Sequence, residues 1–267
     1  MIVEEVPVVI FEMEERTKEL SVLCFKSLGF KNIIVLDQEE SFADKMSRFF
    51  NIALSDEFKE QNLFIRSDAD RLVFDGIKEM VEKSHEALLA SDNGFVLSEG
   101  SGYECFMKKL RGATPHVYSK NLIKHIIENQ DTLVKDIQKP ESYIGTYCKE
   151  KINCFYFFDL LTNLHEFEQY PSKMYNAFLN RIHRGHLGYY NLNEITSDNF
   201  YGQAMKLAID SFSNNSKEGL SLSYTKDDLK ILLEKDEELG PINNLEHVYD
   251  HYKRQYDNLK QRYFKNV

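Results

Sequence analysis

Gln61-Asn-Leu-Phe-Ile-Arg-Ser-Asp-Ala-Asp70 carries the most informative pattern in this chain. Residues 63–65 form an apolar run with the length of a buried strand, and the run is followed by two aspartates, Asp68 and Asp70. In open α/β sheets ligands bind outside the carboxyl ends of the strands, and two carboxylates there suit Mg²⁺ or Mn²⁺ shared with a diphosphate. The alternative is a core strand that ends in an ordinary polar turn.

Strands and helices alternate in the residues that precede this stretch. Continuous apolar runs indicate strands, and apolar residues on one helical face, with glycine or capping signals at the ends, indicate helices. The predicted elements are a strand at 6–11, a helix at 17–28, a strand at 32–37 and a helix from 41 to about 54. Strands joined by helices pair in parallel through right-handed crossovers, so we expect an α/β fold with a mostly parallel sheet flanked by helices.

The later part of the chain is predicted to be richer in helices. We expect helices at 72–89 and at 103–110, and a helical C-terminal extension. The predicted division is an α/β domain at 1–195 and the extension at 196–267. The last helix, 245–263, carries a stripe of apolar and tyrosine side chains. Such a stripe packs on the parent domain or, in the alternative interpretation, forms a contact between identical subunits.

Composition limits the classes of function. The 267 residues are 42% hydrophobic and 28% charged, as in globular proteins, and the formal net charge is −10. This acidic balance disfavours a broad nucleic-acid-binding surface, which needs clustered cations. We expect no membrane span and no signal peptide, because no apolar run is long enough and the first residues lack a basic flank. The four scattered cysteines favour a reduced, cytoplasmic protein over a disulfide framework.

The order of these elements, together with Asp68-Ala-Asp70, resembles that of glycosyltransferases with the GT-A fold. The resemblance covers roughly residues 5 to 190. It implies a GT-A-like domain in which Asp68 and Asp70 bind Mn²⁺ or Mg²⁺ on the diphosphate of a nucleotide sugar. It also implies that Asp37, at the end of the second strand, contacts the base or ribose. The chain departs from the family in having Phe11-Glu12 after the first strand, where Tyr-Asn is usual.

A second cluster, His165-Glu-Phe-Glu168, follows a long apolar and aromatic segment about a hundred residues later. Enzymes of the resembled family often place a catalytic acid at this distance, so the resemblance implies Glu166 or Glu168 as the base that deprotonates the acceptor. It also implies His165 as a third metal ligand or an acceptor contact. The alternatives are solvated glutamates and a histidine that serves packing.

Two further residues belong to the predicted nucleotide site. Arg66 lies two positions before Asp68, so on a strand both side chains point to the same face, and the guanidinium is placed to clamp a phosphate. An ion pair with either aspartate is the alternative role. Phe11 closes the first strand and is predicted to line the same site.

These observations lead to one predicted function and two alternatives. The predicted enzyme transfers a sugar from a nucleotide-diphosphate sugar to a glycan or another hydroxyl acceptor, using the metal bound by Asp68 and Asp70. The first alternative is a phosphatase of the haloacid-dehalogenase type, whose nucleophilic aspartate also lies in an Asp-x-Asp motif. In that family, however, the motif normally closes the first strand. The second alternative is a non-catalytic protein that binds a nucleotide or a glycan.

Overall fold

The computed structural model describes residues 1–36, 41–104, 108–129, 155–165, 167–183, 200–215 and 226–264. Strands and helices alternate through these segments. The strands are β1 (Val8–Phe11), β2 (Ile33–Leu36), β3 (Leu63–Asp68), β4 (Arg71–Val73), β5 (Leu97–Glu104), β6 (Lys109–Ser119) and β7 (Phe155–His165). The helices are α1 (Lys18–Ser27), α2 (Phe42–Leu54), α3 (Gly76–Ala90), α4 (Lys120–Glu128), α5 (Pro171–His183), α6 (Phe200–Asn215), α7 (Lys226–Leu239) and α8 (Leu245–Tyr263).

The seven strands form one mixed sheet in the order β2-β1-β3-β6-β5-β7-β4. β1 pairs in parallel with β2 and β3, and β5 pairs in parallel with β7. β6 is antiparallel to both β3 and β5, and β4 is antiparallel to β7. The predicted α/β class and the parallel β1–β3 block with its connecting helices are therefore confirmed, while the antiparallel half was not foreseen.

Helices α2 and α4 cover one face of the sheet through a core of aromatic and aliphatic side chains. Ser41 caps α2, and its hydroxyl accepts a hydrogen bond from the Asp44 backbone amide at 3.2 Å. The helix then presents an apolar face to the sheet. The buried cluster is formed by Val9, Phe11, Leu36, Met46, Phe49, Phe50, Ala53, Phe58, Phe64, Leu97, Tyr118, Leu122, Ile123 and Ile126.

Two predicted helices are corrected by the structure. Residues 72 and 73, expected at the start of a helix, belong to strand β4, and the helix begins only at Gly76. The segment 103–110, also expected to be helical, contains the end of β5 and the start of β6, with Glu104 opposite Lys109. The partner of β4 is the distant strand β7, whereas residues 103–104 pair with 109–110 inside the same segment. In both places strand pairing overrides the local helical pattern.

The chain divides into two compact units. The first contains residues Met1–Phe167 together with Asn244–Val267, so the sheet and α8 belong to the same unit. The second, Glu168–Asn243, contains α5, α6 and α7. Within it the Tyr175 hydroxyl donates to Ser211 Oγ at 3.0 Å. These bounds differ from the predicted division after residue 195.

The aromatic stripe of α8 packs inside the first unit. The Tyr256 ring stacks on Phe74 at a centroid distance of 4.6 Å. Its hydroxyl donates to the Leu161 carbonyl at 2.7 Å and accepts from the Gly76 amide at 3.2 Å. Only glycine fits at position 76, because a Cβ atom there would lie 2.0 Å from the Leu161 oxygen. One side chain of α8 thus joins the start of α3 to β7. The predicted subunit contact through this helix stays a prediction.

Replacing Tyr256 by Phe is expected to lower the free energy of unfolding by about 1 to 3 kcal/mol. The ring stack is kept, but the buried Leu161 carbonyl and Gly76 amide both lose a hydrogen-bond partner. Urea unfolding would measure the change. Tyr263→Phe is the matched control because Tyr263 is 42% exposed on the same helix. Equal stability of the two variants would contradict this account of the junction.

Candidate functional site

The carboxyl ends of β1, β2 and β3 meet at one edge of the sheet. Phe11 is the register partner of both Leu36 and Asp68. The loops after β1 and β3 are joined, because the Thr17 hydroxyl donates to the Ala69 carbonyl at 2.7 Å and the Ala69 amide donates to the Phe11 carbonyl at 3.0 Å. Ligands of open α/β sheets bind outside the carboxyl ends of the strands, at the point where the connections from two neighbouring strands run to opposite sides of the sheet.

Asp68 lies at this edge in contact with a cation and a hydroxyl. Its Oδ1 is 2.5 Å from Arg66 Nη2, and its Oδ2 accepts from the Thr114 hydroxyl at 2.8 Å. The Arg66 side chain is buried, and its guanidinium carbon lies 4.7 Å from the centre of the Phe11 ring and 5.1 Å from that of Phe42. These cation–π contacts hold Arg66 in place beside the carboxylate.

Asp70 belongs to a second, largely buried network. Its Oδ2 is 3.0 Å from His165 Nε2, and the other ring nitrogen of His165 is 2.7 Å from Glu104 Oε1. Arg71 Nη1 lies 3.6 Å and Arg111 Nε 2.6 Å from the same Glu104 oxygen. The sheet creates this arrangement, because His165 on β7 is the register partner of both Arg71 on β4 and Glu104 on β5.

Two acidic residues of the site have strongly shifted pKa values. Burial raises the pKa of Glu15 to about 8, and the charges of Asp70 and, more weakly, Asp68 act in the same direction. Glu15 therefore takes up a proton more readily than an ordinary carboxyl in this arrangement. The Glu104 carboxyl is also buried, but contacts with His165, Arg71 and Arg111 more than offset this and hold its pKa well below the ordinary range.

The structure brings four of the predicted residues into two pairs, Arg66 with Asp68 and Asp70 with His165. The Phe11 ring is buried and lies beneath the Arg66 guanidinium, and its place in the nucleotide site stays a prediction. Asp37 and Glu166 lie outside the described residues. Glu168 is the first residue of the second unit and has a left-handed backbone, with φ at 57°. Their predicted roles stay predictions.

The carboxylates fit the donor set of a hard divalent cation. Mg²⁺ is usually bound through one or two carboxylates together with substrate phosphates and water. Asp68 and Asp70, with side chains 27% and 24% exposed, match that description. His165 matches it poorly, because both ring nitrogens face carboxylates. Across the described part of the chain, no three His, Cys, Asp or Glu side chains are grouped to hold an ion.

Sequence reasoning missed Glu15 and Glu104 as members of the site. Glu15 could have been found, because Glu12-Met-Glu-Glu15 directly follows β1 and the carboxyl ends of parallel strands lie at the same edge of a sheet. Glu104 gave no such signal, since it was assigned to a helix and its contact with His165 spans 61 residues. Its role depends on the pairing of β5 with β7.

Comparisons with known proteins give distant structural likeness and no match in sequence. No protein-family model matches the chain, and no curated protein has a matching sequence. Among solved structures, a glycosyltransferase involved in the glycosylation of the major capsid of PBCV-1 aligns with 60% of this chain and 93% of its own. The identity is 13% and the TM-score 0.36. At that distance the function has to be argued from this chain's own residues.

No helix in the described segments combines the length and the apolar character that a membrane crossing requires.

Proposed function

We propose that this chain is a glycosyltransferase that moves a sugar from a nucleotide-diphosphate sugar to a hydroxyl acceptor. The observation that supports the proposal is the position of Asp68 at the carboxyl end of β3, with Asp70 two residues later, beside the parallel strand β1. Ligands of open α/β sheets bind outside this edge. The same edge carries the rigidly held cation Arg66. Two carboxylates and an arginine suit the binding of a diphosphate with its metal.

The chemistry that this site has to support is the departure of a diphosphate. Negative charge develops on the leaving group as its bond to the sugar breaks, and preorganised positive charge lowers that barrier. Asp68 and Asp70 would hold the Mg²⁺ or Mn²⁺ that, when bound, supplies positive charge without a proton transfer. Arg66 keeps Asp68 oriented and contributes further positive charge beside it. Glu166 and Glu168 remain the predicted bases for the acceptor.

The test is thermal unfolding of the chain with a panel of nucleoside diphosphates, each with and without Mn²⁺. A ligand that binds only the folded state stabilises it by about 2.7 kcal/mol at a hundredfold excess over its dissociation constant. We expect one diphosphate to raise the unfolding midpoint only when Mn²⁺ is present. An unchanged midpoint with every diphosphate would refute the proposal, and hydrolysis of an aryl phosphate would then favour the phosphatase.

A further inference from the structure

A row of polar and aromatic side chains crosses the sheet from the Arg66–Asp68 pair. Arg66 is opposite His116, His116 is opposite Glu99, and Glu99 is the register partner of Tyr156. Residues directly opposite one another lie on the same face of a sheet. With strands about 4.8 Å apart, Glu99 lies roughly 10 Å from Arg66 across two strand spacings. The row therefore joins the proposed donor site to a neighbouring part of the same face.

The Glu99 side chain contacts His116 and occupies space that the absence of a side chain at Gly112 leaves open. Its Oε2 is 3.3 Å from His116 Nε2, and the two side chains are 22% and 14% exposed. A Cβ atom on Gly112 would lie 2.4 Å from Glu99 Oε1 and 3.0 Å from Cε1 of the Phe158 ring. The missing side chain at Gly112 thus leaves room for a carboxylate and an aromatic ring side by side.

The ring beside Glu99 is part of an exposed aromatic pair. Phe158 is 55% exposed and stacks on Tyr156 at 5.3 Å with an interplanar angle of 15°. Its backbone is fixed, because the Ser101 hydroxyl donates to the Phe158 carbonyl at 3.0 Å. Ligand-binding sites combine apolar or aromatic surface with a few polar groups in fixed positions. The exposed Phe158 ring beside the Glu99 carboxylate is such a combination.

We propose that Glu99, Tyr156 and Phe158 form a subsite for an uncharged sugar ring of the acceptor. A pyranose ring has an apolar face of C–H groups that matches a flat aromatic ring, and hydroxyls at its rim that donate to a carboxylate. The negative charge of Glu99 selects against acidic sugars, because like charges repel at short range. That the bound sugar is the acceptor rests on the proposed function, since the row leads to the proposed donor site.

Binding of simple methyl glycosides tests the subsite without any turnover. Saturation-transfer NMR would compare methyl glucoside, galactoside, mannoside and N-acetylglucosaminide with methyl glucuronide, which carries a carboxylate. We expect at least one neutral glycoside to bind, and to bind more tightly than the glucuronide. No binding of any neutral glycoside, or tighter binding of the glucuronide, would overturn the inference.

Two variants and a control locate the binding on the protein. Gly112→Ala keeps every contacting group but displaces the Glu99 carboxylate and the Phe158 ring, which are side-chain ends that can move. Phe158→Ala removes the exposed ring. Both are expected to weaken glycoside binding about tenfold or more. Tyr263→Ala, which removes an exposed ring from α8, should leave binding unchanged. Binding by both variants at the parent's affinity would overturn the inference.

Hydrolysis of the donor by the parent chain, without acceptor, reports the proposed function separately. Glycoside binding that Gly112→Ala and Phe158→Ala weaken supports the sugar subsite, even if the parent hydrolyses no nucleotide sugar and the transferase proposal fails. Donor hydrolysis in a parent that binds no glycoside leaves the transferase proposal standing and overturns the subsite. In a parent with both properties, the two variants are expected to raise the KM for a glycoside acceptor.

Discussion

Replacing Asp70 by Asn is expected to lower metal-dependent hydrolysis of the sugar donor by about a hundredfold or more. The substitution keeps the shape of the side chain and an oxygen that accepts a hydrogen bond from His165, but it removes the negative charge that attracts the cation. The fold should stay intact with a modest loss of stability, because the Asp70 side chain is 24% exposed and Glu104 remains as an anionic partner of Arg71 and His165. The affinity for Mn²⁺, measured by titration calorimetry, should fall together with the rate.

Asp159→Asn is the matched control for this experiment. Asp159 also lies on a strand of the first unit and contacts Lys83 at 3.3 Å, but its side chain is 43% exposed and it belongs to neither network of the candidate site. Its donor hydrolysis and Mn²⁺ affinity should match those of the parent. Unchanged hydrolysis and unchanged Mn²⁺ binding in Asp70→Asn would contradict the proposed role of Asp70 in metal binding.

Replacing Glu104 by Gln is expected to lower the free energy of unfolding at neutral pH by about 3 to 5 kcal/mol. Glu104 is 1% exposed and is the shared anionic partner of His165, Arg71 and Arg111. A neutral amide leaves the buried Arg71 and His165 beside one carboxylate, Asp70, in place of two. Urea unfolding of parent and variant measures the difference.

The difference in the free energy of unfolding between the parent and Glu104→Gln is expected to depend on pH. The pKa of Glu104 is lowered in the folded state, so its stabilising effect is complete above the ordinary carboxyl range and is lost as the pH falls toward the folded pKa. The difference between parent and variant should therefore shrink below about pH 4.

Glu79→Gln controls for the loss of a carboxylate in general. Glu79 lies on α3 with its side chain 48% exposed and pairs with Lys83 at 3.5 Å, so its replacement should cost at most about 1 kcal/mol. Similar losses of stability in Glu79→Gln and Glu104→Gln would contradict the role assigned to the buried network.

Strands β1, β2 and β3 could be predicted because the sequence signals for them lie within each strand and the helices that connect them. β1 and β2 are continuous apolar runs and β3 begins with one, and the helices between them carry capping or glycine signals. Parallel pairing then follows from the connections, and it places Asp68 at the carboxyl end of a strand next to β1. None of these features depends on a strand partner that is distant along the chain.

The rest of the sheet could not be predicted in this way. β4 is only three residues long, and it is a strand because β7 pairs with it. The contact of His165 with Asp70 spans 95 residues and that with Glu104 spans 61. No periodicity in the sequence encodes such register. The same limit applies to Phe11, since only the packed structure shows that Arg66 and Phe42 cover its ring.

The discontinuity of the first unit sets an order of events during synthesis. All seven strands leave the ribosome before α8, but Phe74 and the Leu161 carbonyl obtain their Tyr256 contacts only after residues 168–243 have been made. Until then this part of the sheet lacks its cover, and exposed apolar surface of that kind invites aggregation or a chaperone. The entropic cost of closing a loop grows only slowly with loop length. The insertion of residues 168–243 therefore delays the packing of α8 but has little effect on the final stability of the first unit.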